Sequence, residues 1–299
     1  MRRAATILIV IFFVRAYAVA QGCTTYALVA AYDKKTGDNI DQLKSEDFQA
    51  YLGGREIPVL SVTQQFSHRL LVLVETDGRR SQKVEDAVTL ATRLARQAPA
   101  GTPMAFGAFA KRSIFTDGFI GDEQQRAKAI SSVIEESDTL GKRVALYNAL
   151  HKALAVFGPH QPGDTVVLIS DGYDEDSNRS GSEVEHEFEA HGTRLMVMFR
   201  QPPSHVFGSF NWNPPERDRA ILQNMSARTG GIYSMFDAYS FSLAGHGYLV
   251  EVRIPEGINK PRPWKLRLRE NAWADARRTR IYYPEKILPC SAEADGGAR

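Results

Sequence analysis

Three styles of hydrophobic patterning succeed one another along the chain. At the start, Arg2 and Arg3 precede an apolar run from Ala4 to Val14, and small residues follow at Ala16, Ala18 and Ala20. A basic start, a short apolar stretch and small residues are the layout of a cleaved export signal. The run is shorter than the ~20 residues a bilayer-spanning helix needs, and Arg15 ends it, so residues 1–20 read as a signal peptide and no integral membrane span is expected after its removal. A β-rich preface over residues 21–66 follows. Tyr26 to Tyr32 is a strand-like run that gives way to the turn-forming Asp33, Lys34, Lys35, Thr36, Gly37 and Asp38. Phe48 to Leu52 and Ile57 to Thr63, separated by Gly53 and Gly54, read as a hairpin.

From Arg69 the pattern changes. Leu70 to Val74, Met104 to Phe109, Thr165 to Ser170 and Arg194 to Phe199 are continuous apolar runs of the kind buried on both faces of a parallel sheet. Segments of helical period lie between them: Val84, Val88, Ala91 and Ala95; Ala127, Ile130, Val133 and Ile134; Leu146, Ala149, Leu150, Ala153 and Leu154. Strand and helix in alternation imply an α/β fold, a doubly wound, mostly parallel, Rossmann-like sheet with helices on both faces, whose ligand sites lie outside the strand C-terminal ends. Residues 67–238 form this domain. Glu75 and Asp171 both fall at such strand ends. Residues 200–216, rich in proline and carrying Phe207, Phe210 and Trp212, read as a long loop that either offers a contact surface or packs its aromatics on its own domain. A helix over 218–229 closes on Gly230 and Gly231. Strand alternation returns at Tyr248 to Ile254 and Trp264 to Leu268, so residues 239–299 form a small C-terminal β region expected to pack with the N-terminal one.

Composition changes this picture little. Lys and Arg number 37 against 35 Asp and Glu, scattered through the 299 residues, so no basic stripe points to nucleic acid. The two cysteines, Cys23 and Cys290, suit an oxidising compartment in which they pair; lipidation of Cys23 or two free thiols are the competing readings. No nucleophile elbow, phosphate loop or zinc-protease helix is present in the sequence. Asp174, Asp176, Asn178 and Glu185 occupy calcium-loop positions, but Arg179 stands where that loop needs glycine, so a solvated acidic loop is the better reading. His186 and His191 lack the spacing of a zinc pair and read as exposed structural histidines.

Several segments together carry a family resemblance. The Tyr32-Asp-Lys-Lys-Thr-Gly turn, Leu43-Lys-Ser-Glu-Asp-Phe, the Tyr51 to Ile57 hairpin, Arg69-Leu-Leu-Val-Leu-Val-Glu-Thr-Asp-Gly, Ala145-Leu-Tyr-Asn-Ala-Leu, Val166-Val-Leu-Ile-Ser-Asp-Gly and Ala227-Arg-Thr-Gly-Gly-Ile-Tyr resemble the von Willebrand factor type A-related proteins of acidobacterial genomes. The resemblance implies a divalent cation above the sheet, held by an Asp-x-Ser-x-Ser loop, a threonine and a further aspartate. Here Glu75, Asp77 and Arg79 stand at the loop positions and Val144 at the threonine; only Asp171 keeps its type. Two arrangements follow. Either Arg79 or Arg80 occupies the ion position and pairs with Glu75, Asp77 or Asp171, leaving no cofactor, or those three carboxylates hold magnesium or calcium with water filling the gaps.

The expected function is an exported, periplasmic or secreted, non-catalytic binding module. It would meet an unidentified protein partner through the rim at Glu75, Asp77, Arg79, Val144 and Asp171, with Trp212 in support. The alternatives are a structural component of a cell-envelope assembly, attached through Cys23 if that residue is lipidated, and, behind it, a hydrolytic enzyme.

Overall fold

The computed structural model describes residues 22–64, 68–76, 81–199, 216–235, 247–270 and 275–290. In chain order the strands and helices are β1 (Gly22–Asp33), β2 (Phe48–Leu52), β3 (Arg55–Ile57), β4 (Val59–Gln64), β5 (Leu70–Glu75), α1 (Ser81–Gln97), β6 (Met104–Phe109), β7 (Ser113–Phe115), α2 (Glu123–Ser137), α3 (Leu146–Phe157), β8 (Thr165–Ser170), α4 (Gly181–His191), β9 (Arg194–Phe199), α5 (Glu216–Arg228), β10 (Tyr233–Met235), β11 (Tyr248–Pro255), β12 (Arg262–Leu268), β13 (Thr279–Tyr282) and β14 (Lys286–Ile287).

The central sheet runs β10-β9-β8-β5-β6-β7, parallel except for the edge strand β7. Every residue of β5, β6, β8 and β9 is buried, which is why these segments read as unbroken apolar runs. Alternate residues serve opposite faces. Leu70, Val72 and Val74 pack with Leu90, Leu94, Ile130 and Val133 of α1 and α2. Leu71 and Leu73 pack with Leu146, Leu150, Val184, Phe188, Leu222 and Met225 of α3, α4 and α5. Helices on both faces make this a doubly wound α/β fold. In α2 the inward residues differ from the expected set: Ala127 is exposed and Arg126 is buried. The Arg126 guanidinium donates to the Ala95, Thr102 and Gly121 carbonyls, satisfying chain ends that no apolar side chain could.

Both chain ends contribute to a third core. One antiparallel sheet is ordered β13-β1-β11-β4 and the other β14-β12-β2-β3. Val29 and Val250 of the first face Phe48, Ala50, Trp264 and Leu266 of the second. The stretch from residue 57 to 63 is two strands and not one: β3 pairs with β2, whereas β4 crosses to pair with β11. Pro58 sits at the break, where its lack of an N–H interrupts a ladder. Cys23, at the start of β1, is disulfide-bonded to Cys290 beyond β14, with Cα atoms 6.0 Å apart. This bond settles the reading of both cysteines against lipidation and against free thiols.

The terminal sheets seat on the end of the central sheet where β8 and β9 begin. Glu285 N–H donates to Arg228 O at 2.8 Å, and Lys286 Nζ reaches Glu189 at 2.5 Å. The Arg228 guanidinium pairs with Glu185 and lies 3.7 Å from Glu285. Gly231 fits here because a Cβ would lie 1.8 Å from Leu195 O, a main-chain atom that cannot yield.

Candidate functional site

The strand order reverses at β5, which has β6 on one side and β8 on the other, so the crevice between the ends of β5 and β8 is the switch point where α/β sheets carry ligands. Glu75 closes β5 and is 1% exposed; Ser170 closes β8, followed by Asp171 at 3%. Glu75 Oε2 accepts from Ser170 Oγ at 2.6 Å and from the Asp171 N–H at 3.0 Å. The Ser170 hydroxyl oxygen then accepts the Gly172 N–H at 2.9 Å, in a turn where Gly172 takes φ +81°. The Glu75 carboxylate thus ties the two strand ends together instead of facing outward. Thr76 continues the lock on the other side, its N–H donating to Phe109 O at 2.8 Å.

Val144, expected from the sequence to stand where the resembling family has threonine, is buried. Its N–H donates to Glu175 Oε2 at 3.2 Å, and its carbonyl accepts from the N–H groups of Glu175 and Asp176 at 2.7 and 2.9 Å. Asp174 supplies what the start of α3 lacks. The N-cap residue there is Ala145, which has no capping side chain, and Asp174 Oδ1 accepts the Leu146 N–H at 2.8 Å. Ser177 Oγ donates to the same carboxylate at 2.5 Å and accepts the Asn148 N–H at 3.2 Å. Burial raises the Asp174 pKa, offset in part by these hydrogen bonds. Asp176 turns outward to Lys111 and Arg143, at 3.3 and 3.2 Å, which hold its carboxyl below the usual range through their hydrogen bonds. Glu185 lies away from both, paired with Arg228. The three carboxylates of the calcium-like pattern therefore serve three separate purposes and do not converge.

Beside this inward-turned centre lies a group of cations. The β6–β7 turn and the loop before α3 are joined by hydrogen bonds from Arg112 N to Leu140 O at 3.0 Å and from Ala145 N to Ala110 O at 2.9 Å. The join brings Lys111 and Arg112 next to Lys142 and Arg143, all four exposed. The side chains of Lys111 and Arg143 are 58% and 64% exposed, and the Arg112 guanidinium donates to Thr139 O.

Of the residues expected at the rim from sequence, the structure brings together Glu75 and Asp171, and it sets the Val144 backbone against Glu175 and Asp176. Asp77, Arg79, Arg80 and Trp212 lie outside the described residues. Asp174 as a borrowed helix cap and the four cations were missed. A helix opening on Ala145 without its own cap was the available signal for the first; the second depends on loop pairing that spacing does not reveal. The family's ion needs hard oxygen donors. Of the residues expected to hold it, Glu75 and Asp171 are described, with Glu75 Oε2 accepting from Ser170 Oγ and the Asp171 N–H, and Val144 brings no side-chain oxygen.

Among the described residues, a mostly parallel sheet reversing at its first strand, with helices on both faces and an Asp-Gly turn at the switch point, forms a doubly wound α/β domain, here joined to two antiparallel sheets to which segments from both ends contribute. No family model and no curated protein matches the chain. Solved structures similar to it include BatB from Bacteroides thetaiotaomicron, at 17% identity and TM-score 0.47 over 60% of this chain and 96% of that one. A von Willebrand factor type A protein from Catenulispora acidiphila is similar at 10% identity and TM-score 0.47, over 86% and 76%. The ArnB paralog VWA2 from Sulfolobus acidocaldarius is similar at 12% identity and TM-score 0.43, over 89% and 74%.

Proposed function

We propose that this chain is an exported, non-catalytic protein-binding module that recognises acidic side chains of a protein partner through the C-terminal rim of its central sheet, without a metal ion. The observation that carries the reading is the pairing of an inward-locked carboxylate centre with four exposed cations, Lys111, Arg112, Lys142 and Arg143, on two hydrogen-bonded loops beside it. A metal-bearing rim draws a partner carboxylate with its ion; here fixed side-chain cations take that part. Asp176 offsets some of their charge and also positions Lys111 and Arg143. Charge complementarity of this kind sets encounter rate and partner choice more than raw affinity. Export is supported by the Cys23–Cys290 disulfide, which persists in oxidising compartments. Among the described residues no helix is long and apolar enough to cross a membrane.

Photo-crosslinking from position 142 in living cells, against a control at exposed Glu256 on the terminal sheets, tests the reading. The captured partner is then purified and titrated with the wild-type chain and with Lys111→Glu/Arg143→Glu. Capture from position 142 alone, with binding weakened at least tenfold by the double reversal and by added salt, is the expected result. Capture by both positions, or binding indifferent to the reversal, overturns it. Magnesium and calcium are expected to leave the melting temperature unchanged; a rise with either that Asp171→Ala abolishes would restore a metal to the rim.

A further inference from the structure

At the opposite end of the central sheet, His160, Asp164 and His191 each direct a ligating atom into one spot, all three atoms within 4.8 Å of one another. His160 and Asp164 lie on the loop that leads into β8, and His191 is the last residue of α4. The two imidazoles meet edge to face at 5.7 Å between centroids, and His160 Nδ1 stands 3.8 Å from Asp164 Oδ2. We propose that these three residues form a binding site for a transition-metal ion of the zinc class.

The hydrogen bonds around the cluster already orient it. His191 Nε2 lies 3.0 Å from Gly158 O, and a carbonyl can only accept, so Nε2 carries the proton. Nδ1 is then left with its lone pair, now accepting from Thr193 Oγ1 at 2.6 Å. A main-chain carbonyl that holds a ring N–H fixes the orientation of the imidazole, as it does in metal-bound histidines. Asp164 is held as firmly. Its carboxylate takes the Arg69 Nε and Nη2 at 2.8 and 2.6 Å and the Gln161 N–H at 2.9 Å, and its side chain is 0% exposed.

Two imidazoles and one carboxylate suit zinc, nickel or copper and not magnesium or calcium, which take oxygen sets. Ligand spacing contracts on binding, because bonds of about 2.0–2.1 Å to zinc bring tetrahedral donors closer than 4.8 Å. Three protein ligands leave a fourth position for water. His160 and Asp164 line a small cleft that Tyr26, Glu189, Thr193, Lys286 and Leu288 also bound, where the terminal sheets meet the central one. Arg69 competes with the ion for Asp164, which weakens binding relative to a closed structural site. The ion would tie the loop before β8 to the end of α4.

Equilibrium dialysis of the purified full chain against zinc, followed by cobalt substitution and visible absorption, tests this site. The variants are His160→Ala and His191→Gln, each first shown by circular dichroism to fold. Asp164 is left intact because its loss would strand buried Arg69. The expected result is one zinc per chain, undiminished by excess magnesium, with affinity reduced about tenfold or more in each histidine variant and the cobalt band lost. No bound zinc, or zinc bound equally by wild type and both variants, overturns the site. Because the rim residues are untouched, either outcome leaves the binding function to its own test.

Discussion

Replacing Arg69 by methionine puts its ion pair with the buried Asp164 under test. Arg69 and Asp164 stand one residue before β5 and β8, and the bridge joins the two strands where Thr165 N donates to Arg69 O at 3.0 Å. The guanidinium makes two bonds to the carboxylate, donates to the Phe157 and Pro159 carbonyls at 2.7 and 2.8 Å, and lies 5.3 and 5.4 Å from the Phe119 and Phe157 ring centroids. Methionine keeps much of the stem and its contact with the rings. What is lost is the charge facing a carboxylate with 0% exposure, which keeps only the Gln161 N–H at 2.9 Å and the His160 ring at 3.8 Å. Removing one partner of a buried pair costs about 3–5 kcal/mol. The 13% exposure of Arg69 lets water reach the vacated side, so the lower end, about 3 kcal/mol, is expected. At about 2–4 °C per kcal/mol for a chain of this size, the melting temperature falls by about 6–12 °C. Urea unfolding followed by far-ultraviolet circular dichroism, which reports the helices, and by fluorescence, which includes Trp264 in the terminal sandwich, measures the loss and shows which unit yields first. Arg69→Met/Asp164→Leu is expected to recover most of the stability, since an apolar pair of similar volume often equals a buried ion pair. A loss below about 1 kcal/mol for Arg69→Met, with no recovery in the double variant, would refute the reasoning.

Other outcomes follow from the same structure. Asp174→Ala removes the borrowed cap of α3 and is expected to cost about 1–2 kcal/mol, while Asp174→Asn, which keeps an accepting oxygen, costs less than half as much in the same denaturation assay. The raised Asp174 pKa means that the folded chain binds its proton more tightly than the unfolded one; stability from this group is complete below 3.8 and declines as pH rises through the folded value. Asp174→Asn is expected to flatten that slope in melts across acid pH, and an unchanged slope would exclude Asp174 as its source. Reducing the disulfide, or Cys23→Ser/Cys290→Ser, frees chain ends 267 residues apart and is expected to remove about 2–5 kcal/mol, read as an earlier fluorescence transition of the sandwich. Gly231→Ala sets a Cβ 1.8 Å from Leu195 O and is expected to destabilise by about 3 kcal/mol, near the upper end of overpacking; a change below 1 kcal/mol by denaturation would show that β9 moves aside.

The fold class was legible because burial on both faces leaves its mark on consecutive residues: β5, β6, β8 and β9 are each six buried positions in a row. Short edge elements leave no such mark. β7, β10, β13 and β14 are two to four residues long and take their shape from the partner they join. Periodicity also misread α2, since a helix position facing bare carbonyls wants a donor, and Arg126 fills it where Ala127 fitted the apolar count. At the rim, Glu75 and Asp171 could be placed by their strand ends, but the direction of a carboxylate is set by its hydrogen bonds, and those of Glu75 point inward. His191 read as an exposed residue because its neighbours in sequence offer it no ligand. Its nearest candidate, His160, comes from the other side of β8 in the chain, and only the packing of α4 beside the loop before that strand brings them together.

The two ends of the central sheet have been given opposite treatment, and this bears on how the molecule transmits force or binding. At the strand C-terminal ends, Glu75, Ser170 and Asp171 bond among themselves, and the cations stand on loops outside them. At the N-terminal ends, Asp164, Arg194 and Arg228 face the sandwich that both chain termini build. Arg194 is fully buried there, its pKa pushed down to about 10 by desolvation. If a partner binds at the rim, it loads β5 and β8, whose other ends are joined by the Arg69–Asp164 bridge. If the rim binds and the sandwich anchors, Arg69→Met should leave rim affinity within about twofold, since the two sites share no contact, yet weaken the chain's resistance to unfolding when it is pulled from that end. A large loss of rim affinity instead would mean that the sheet couples its two ends, and that the lower bridge belongs to the binding site as much as the cations do.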